Sequence, residues 1–158
     1  MTTDANIIIN SGTKVAGVND NGDTIRLPLG DQEFTLNFLK LMQELSDKAR
    51  EIAKQIKAVK EDTSADKMAQ LSTVADLYLT VCQQMKERVD AVFADEVCRK
   101  VFGNITPGLD AFSEFFEKLS PLVLEYQENT RSKSEERIKK YTEKYDKQRT
   151  LGTEKAGE

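Results

Sequence analysis

The stretch Val89–Tyr126, VDAVFADEVCRKVFGNITPGLDAFSEFFEKLSPLVLEY, decides the fold. An apolar helical run ends at Gly103, crosses a Thr-Pro-Gly connection and restarts as a second run. Five of the seven phenylalanines fall inside it, which makes it a helical hairpin whose faces need something to pack against. Gly103 suits the left-handed cap of the short helix holding Val97, Cys98, Val101 and Phe102. Thr106 and Pro107 suit the cap and first position of the helix that follows. Leu109, Phe112, Phe115, Phe116 and Leu119 give that helix its apolar face, and Ser120-Pro121 either kinks or ends it, because proline has no amide to donate.

Working towards the N-terminus, Met68, Leu71, Ala75, Tyr78, Cys82, Met85, Val89 and Val92 recur at steps of three and four. This is a seam like that of a coiled coil, satisfied by an antiparallel partner in the same chain or by a second copy; Met68, Leu71, Tyr78 and Met85 are its candidate self-association residues. Upstream, Phe34, Phe38, Leu41, Leu45, Ile52, Ile56 and Val59 form the stripe of a first long helix, beginning near Asp31 to Thr35 and running to about Lys60. Met42 and Ala49 widen one edge of that stripe. Asp62-Thr63-Ser64 breaks the pattern, with Thr63 or Ser64 able to cap the second helix. Before all of this, Val15 and Val18 precede Asn19-Asp20-Asn21-Gly22-Asp23, and Thr24, Ile25 and Leu27 follow. The Asn-Gly pair predicts a tight two-stranded hairpin. Ile7, Ile8 and Ile9 could add an edge strand.

Taken together, the fold class is mainly α: a helical bundle with long amphipathic helices and a short N-terminal β-hairpin. The expected organisation is a mobile N-terminus over residues 1–13, the hairpin over 14–30, the bundle over 31–126, and a charged helical extension or flexible tail over 127–158. That tail carries a local charge of +2 against −6 for the rest, and only Ile138, Tyr141, Tyr145 and Leu151 are large and apolar in it. It is either a solvated extension or an arm that orders on a partner, with Ile138, Tyr141 and Tyr145 on one face as anchors.

The chain has 158 residues, 39% apolar and 32% charged, which suits one domain of amphipathic helices with a modest core. No apolar stretch approaches the roughly 20 residues that span a bilayer, and no basic segment precedes the apolar run of MTTDANIII, so a cytoplasmic protein without a membrane partner is expected. Cys82 and Cys98 lie at apolar helical positions and read as buried thiols. Histidine is absent, which removes the commonest general base and metal ligand. There is no glycine-rich phosphate loop and no zinc spacing. The acidic turn around Gly22 fails as a calcium loop, since Gly17 and Pro28 would stand at its first and twelfth ligand positions. Glu114 and Glu117 share a face opposite the phenylalanines and read as solvated surface. The net charge of −4 and the alternating signs of the tail disfavour nucleic acid. A non-enzyme without cofactor or metal is expected.

The arrangement resembles the small helical tail assembly chaperones of tailed phages and prophages of Gram-positive bacteria. Three features carry the likeness: VNDNGDTIRLPLGDQEFTLNFLKLMQEL, leading from a strand pair into a helix; VDAVFADEVCRKVFG, a helix, acidic turn and Lys-Val-Phe-Gly stop; and LDAFSEFFEKLSPLV before a charged end with tyrosines. The likeness covers most of residues 14–126, and the longer tail departs from it. It implies a non-enzymatic protein of the host cytoplasm that binds a tape-measure-like or tail tube protein and self-associates. Phe93, Phe102, Phe112, Phe115 and Phe116 then form either a groove for a partner helix or this protein's own core. A structural component retained in the particle, and a cytosolic helical adaptor, are the competing expectations.

Overall fold

The computed structural model describes residues 5–156, with side chains through Thr150; residues 1–4 of the expected mobile N-terminus and the Leu151 side chain lie outside the described residues. Two strands, β1 (Thr13–Gly17) and β2 (Thr24–Pro28), precede four helices: α1 (Gln32–Glu61), α2 (Lys67–Phe93), α3 (Val97–Phe102) and α4 (Leu109–Ala156). The mainly α bundle with an N-terminal β-hairpin is therefore the architecture. The chain divides into two compact units, residues 1–120 and residues 121–158.

In the first unit the strands pair antiparallel, from Thr13 opposite Pro28 to Gly17 opposite Thr24. Ile25 and Leu27 of β2 are fully buried and Leu29 nearly so, whereas Val15 of β1 is exposed, so one face of the ribbon is dry. The turn is not the tight two-residue form expected from Asn21-Gly22. Six residues connect the strands, only Gly22 among them takes positive φ, and the Asn19 side chain organises the rest. Its Oδ1 accepts from the amides of Asn21 (2.9 Å) and Asp23 (3.2 Å), and its Nδ2 donates to Asp23 Oδ2 (2.8 Å). Residues 5–12 form no strand, and Ile7, Ile8 and Ile9 are exposed. Ser11 runs against Gly30 instead, so closely that a Cβ at Gly30 would collide with the Ser11 carbonyl.

Asp31 caps α1 by accepting from the Glu33 amide at 2.9 Å. Helices α1 and α2 form an antiparallel hairpin. Arg88 forks onto Glu44 with two bonds of 3.0 Å, Lys48 reaches Gln84 at 3.2 Å, and Gln70 donates to the Val59 carbonyl at 3.2 Å and to that of Asp62. The hairpin turn thus closes through Gln70 from the far side. Neither Thr63 nor Ser64 caps α2; Ser64 turns back to Asp62, and Asp66 takes the cap position without a side-chain bond.

The acidic turn expected between α2 and α3 is present, with a backbone that its sequence does not announce. Ala94, Asp95 and Glu96 all have positive φ (58°, 55° and 53°), a conformation that costs side chains with a Cβ about 1–3 kcal/mol each. Polar ties hold it. Asp90 Oδ1 accepts from the Cys98 amide at 3.0 Å, and Arg26 forks onto Asp95 at 3.0 and 3.1 Å. Asn19 donates to the Lys100 carbonyl at 2.9 Å, while Lys100 Nζ donates to Thr24 O at 3.1 Å. These bonds fasten the β-hairpin to α3. Cys82 and Cys98 are free and buried, as their apolar positions predict. Burial pushes both thiols up, that of Cys98 to about 12 with the Asp90 charge adding to it.

Helix α4 begins at Leu109, so Thr106 and Pro107 precede it rather than opening it. The Leu109 amide donates to Tyr78 Oη at 2.9 Å, which anchors the helix start on α2. A Cβ at Gly108 would come 3.0 Å from that hydroxyl and 2.8 Å from Asp110 Oδ1, so a larger residue there would make these two side chains give way. Pro121 neither ends the helix nor starts another: α4 runs through it, and the boundary between the two units falls there.

Candidate partner-binding surfaces

All seven phenylalanines belong to one connected ring network inside the first unit. Phe93 is its hub, 5.4 Å from Phe34, 6.0 Å from Phe38 and 5.4 Å from Phe115, so one ring joins α1, α2 and α4. Phe38 meets Phe116 edge-on at 5.9 Å, and Phe102 meets Phe112 at 5.2 Å. Phe93, Phe112, Phe115 and Phe116 are buried and Phe102 is half-buried. Four of the five rings considered as a partner groove are thus interior, and Phe102 is partly open. Edge-to-face geometry adds about 0.5–1.5 kcal/mol per pair to the burial itself, which explains why the Phe-rich face is covered by its own chain.

The α2 seam divides into two halves. Met85 is fully buried and so closed to a second copy, while Tyr78 is half-buried with its hydroxyl engaged by the Leu109 amide. Met68 and Leu71 are 70% and 62% exposed. Periodicity is uniform along α2, but only its C-terminal half has α3 and the start of α4 beside it.

One open groove of 480 Å³ lies between α1 and the first three turns of α4. Its apolar floor comes from Met42, Leu45 and Ala49 on one side and Leu109 and Phe116 on the other. Ser120 closes one end, its hydroxyl donating to Phe116 O at 2.7 Å and approaching Met42 Sδ at 3.5 Å. The only charged residues lining it are Asp110 and Glu117, both acidic. Sequence reading did not name this groove. The signal was present in Met42 and Ala49, which widen the α1 stripe beyond what one neighbouring helix covers.

In the second unit every side chain from residue 131 to 150 is exposed. Ile138, Tyr141 and Tyr145, at 63%, 72% and 57% exposure, share one helical face without cover. Lys140 pairs with Glu136 at 3.4 Å, a surface contact that contributes little. Among the described residues no group of three or more His, Cys, Asp or Glu is placed to hold a metal ion, and no helix is long and apolar enough to cross a membrane.

These features define a mainly α protein whose phenylalanines pack against one another and whose open apolar surface includes a groove and a helical face. The chain belongs to a family of unknown function (DUF6673), which matches residues 21–157. No curated protein and no solved structure matches it.

Proposed function

We propose that the chain is a non-enzymatic tail assembly chaperone or scaffold of the host cytoplasm, which holds a long, tape-measure-like helical protein by helix packing. The contact is the Ile138–Tyr141–Tyr145 face of α4. The observation that carries this reading is that face: three large side chains at helical spacing, more than half exposed, on a segment that is already helical. Burying an aliphatic or aromatic side chain of this size contributes about 1.5–3 kcal/mol, and a preformed helix lowers the ordering cost that offsets it. Apolar contact of this kind makes little demand on partner sequence, which suits a chaperone for a repetitive helix. The link to phage tails comes from the resemblance of residues 14–126, above all VDAVFADEVCRKVFG and LDAFSEFFEKLSPLV.

Co-expression with a tape-measure-like protein, followed by pull-down, tests the reading. Retention and a gain in that protein's solubility are expected, and both should fall when Ile138 and Tyr141 are replaced by Asp. No retention and no gain would end this proposal. Mass spectrometry of purified particles separates it from a structural tail component, which would be present at fixed copy number where a chaperone is missing.

A further inference from the structure

The two edges of the β-ribbon are finished differently. Val18 donates to the Asp23 carbonyl at 3.1 Å, so the alternation of an antiparallel ladder makes Ala16 and Lys14 bond inward to β2. Thr13, Val15 and Gly17 then turn their amides and carbonyls to the outer edge of β1, while Thr24, Arg26 and Pro28 face the outer edge of β2. The β2 edge is closed. The Thr24 carbonyl accepts from Lys100 Nζ at 3.1 Å, the Pro28 carbonyl accepts from the Asp31 amide at 2.9 Å, and Pro28 has no amide to offer. The β1 edge is open: among the described residues, nothing bonds the backbone of Thr13, Val15 or Gly17 from outside the ribbon.

A complement to this edge stands just before it in the sequence. Ile7, Ile8 and Ile9 are 84%, 92% and 80% exposed, three adjacent β-branched side chains where exposed apolar residues ordinarily occur singly. Lys14 is the only charged residue from Ala5 to Gly17, and residues 5–10 make no backbone-to-backbone bond among the described residues. They do not lie along their own β1. Ser11 faces Gly30, which extends the register that sets Thr13 against Pro28, and Asn10 Oδ1 accepts from the Gly12 amide at 3.0 Å. The segment therefore leaves past the end of the ribbon instead of reversing along its edge.

We propose that residues 5–10 of a second copy of this chain form a third strand on the β1 edge, antiparallel to Thr13–Gly17, and that the exchange is reciprocal. Segment and edge follow each other in one stretch, so a single two-fold axis near Ser11 makes both pairings at once. Thr13, Val15 and Gly17 each offer one amide and one carbonyl to the incoming strand, whose isoleucines come to lie beside Val15, itself 58% exposed. The axis closes the contact, so association stops at a dimer. The α4 extension has no part in it, and dimer formation and retention of a tape-measure-like protein succeed or fail separately.

Sedimentation equilibrium of the purified full chain should show mass rising with concentration and levelling at twice that of the monomer. Amide exchange followed by NMR adds a signature of the edge itself. The Val15 and Gly17 amides should slow as concentration rises, while those of Lys14 and Ala16, bonded within the ribbon, are slow throughout. Ile7→Lys with Ile9→Lys should weaken association by about tenfold or more. Both side chains are exposed, so far-ultraviolet circular dichroism should not change. Val15→Pro, which removes an outward amide and no ribbon bond, should weaken association as well. A monomer at every concentration would overturn the proposal, and slow Val15 and Gly17 amides in that monomer would show the segment folded back on its own β1. A dimer in which those amides still exchange fast, or mass that climbs past a dimer, would overturn it too.

Discussion

Replacing Phe93 by Ala asks directly whether the ring cluster is interior or a surface for a partner. Phe93 is 4% exposed and touches three other rings, two on α1 and one on α4. Truncating a buried Phe costs about 3–5 kcal/mol through lost transfer energy and the cavity left behind. The aromatic pairs lost with it place this site in the middle or upper part of that range, so about 4 kcal/mol is expected. In a chain of this size each kcal/mol moves Tm by about 2–4 °C, giving a fall of about 8–16 °C. Urea titration followed by far-ultraviolet circular dichroism measures the loss, with Phe93→Leu, a smaller truncation that keeps the site apolar, expected to lose less than Phe93→Ala. Ile138→Ala, on an exposed face, should stay within about 0.5 kcal/mol of the unaltered chain. A loss below about 1 kcal/mol for Phe93→Ala with native helicity would show that the rings are not the core.

Ala94→Gly should stabilise the chain by about 0.5–2 kcal/mol, because a φ of 58° with ψ of −162° strains any Cβ while glycine gives back only its chain entropy; a drop in Tm would refute the strain. At pH 8 a thiol with a pKa of about 12 is ionised about once in 10⁴, so Cys98 should resist iodoacetamide in the native protein and react once urea exposes it; rapid native alkylation would contradict the burial. The Arg26 guanidinium, by hydrogen bonding first, holds the Asp95 carboxyl below its ordinary value. Its contribution is therefore complete above the ordinary carboxylate range and is lost as pH falls through the lowered value. Carboxyl NMR should show Asp95 titrating higher in Arg26→Gln, and the stability gap between the two proteins closing in acid; a gap that persists there would refute the linkage.

Much of the fold was legible because amphipathic periodicity is a local property. The α1 stripe, the start of α1 near Asp31, the two buried thiols and the β-hairpin all follow from spacing and residue type. What spacing does not encode is which neighbour covers a stripe. Met68 and Met85 occupy equivalent seam positions, yet one is open and the other fully buried, because only the second lies where α3 and α4 fold back. The phenylalanines pose the same problem, since a groove and a core have the same periodicity. Local hydrogen bonding misled at the turns: Asn19, not Asn21-Gly22, builds the hairpin loop, and Tyr78 rather than Thr106 meets the start of α4. The acid-lined groove required two helices, distant in sequence, to be placed side by side.

The way the chain distributes its rings has an optical consequence. Every phenylalanine sits in the first unit, there is no tryptophan, and three of the four tyrosines (Tyr126, Tyr141 and Tyr145) lie beyond Pro121. Phenylalanine fine structure is thus a signal of the body alone, while tyrosine emission is weighted towards the extension, with Tyr78 its single contributor from the body. Without any added label, the two chromophores report separately on whether the core is intact and whether the extension has found something to lie against.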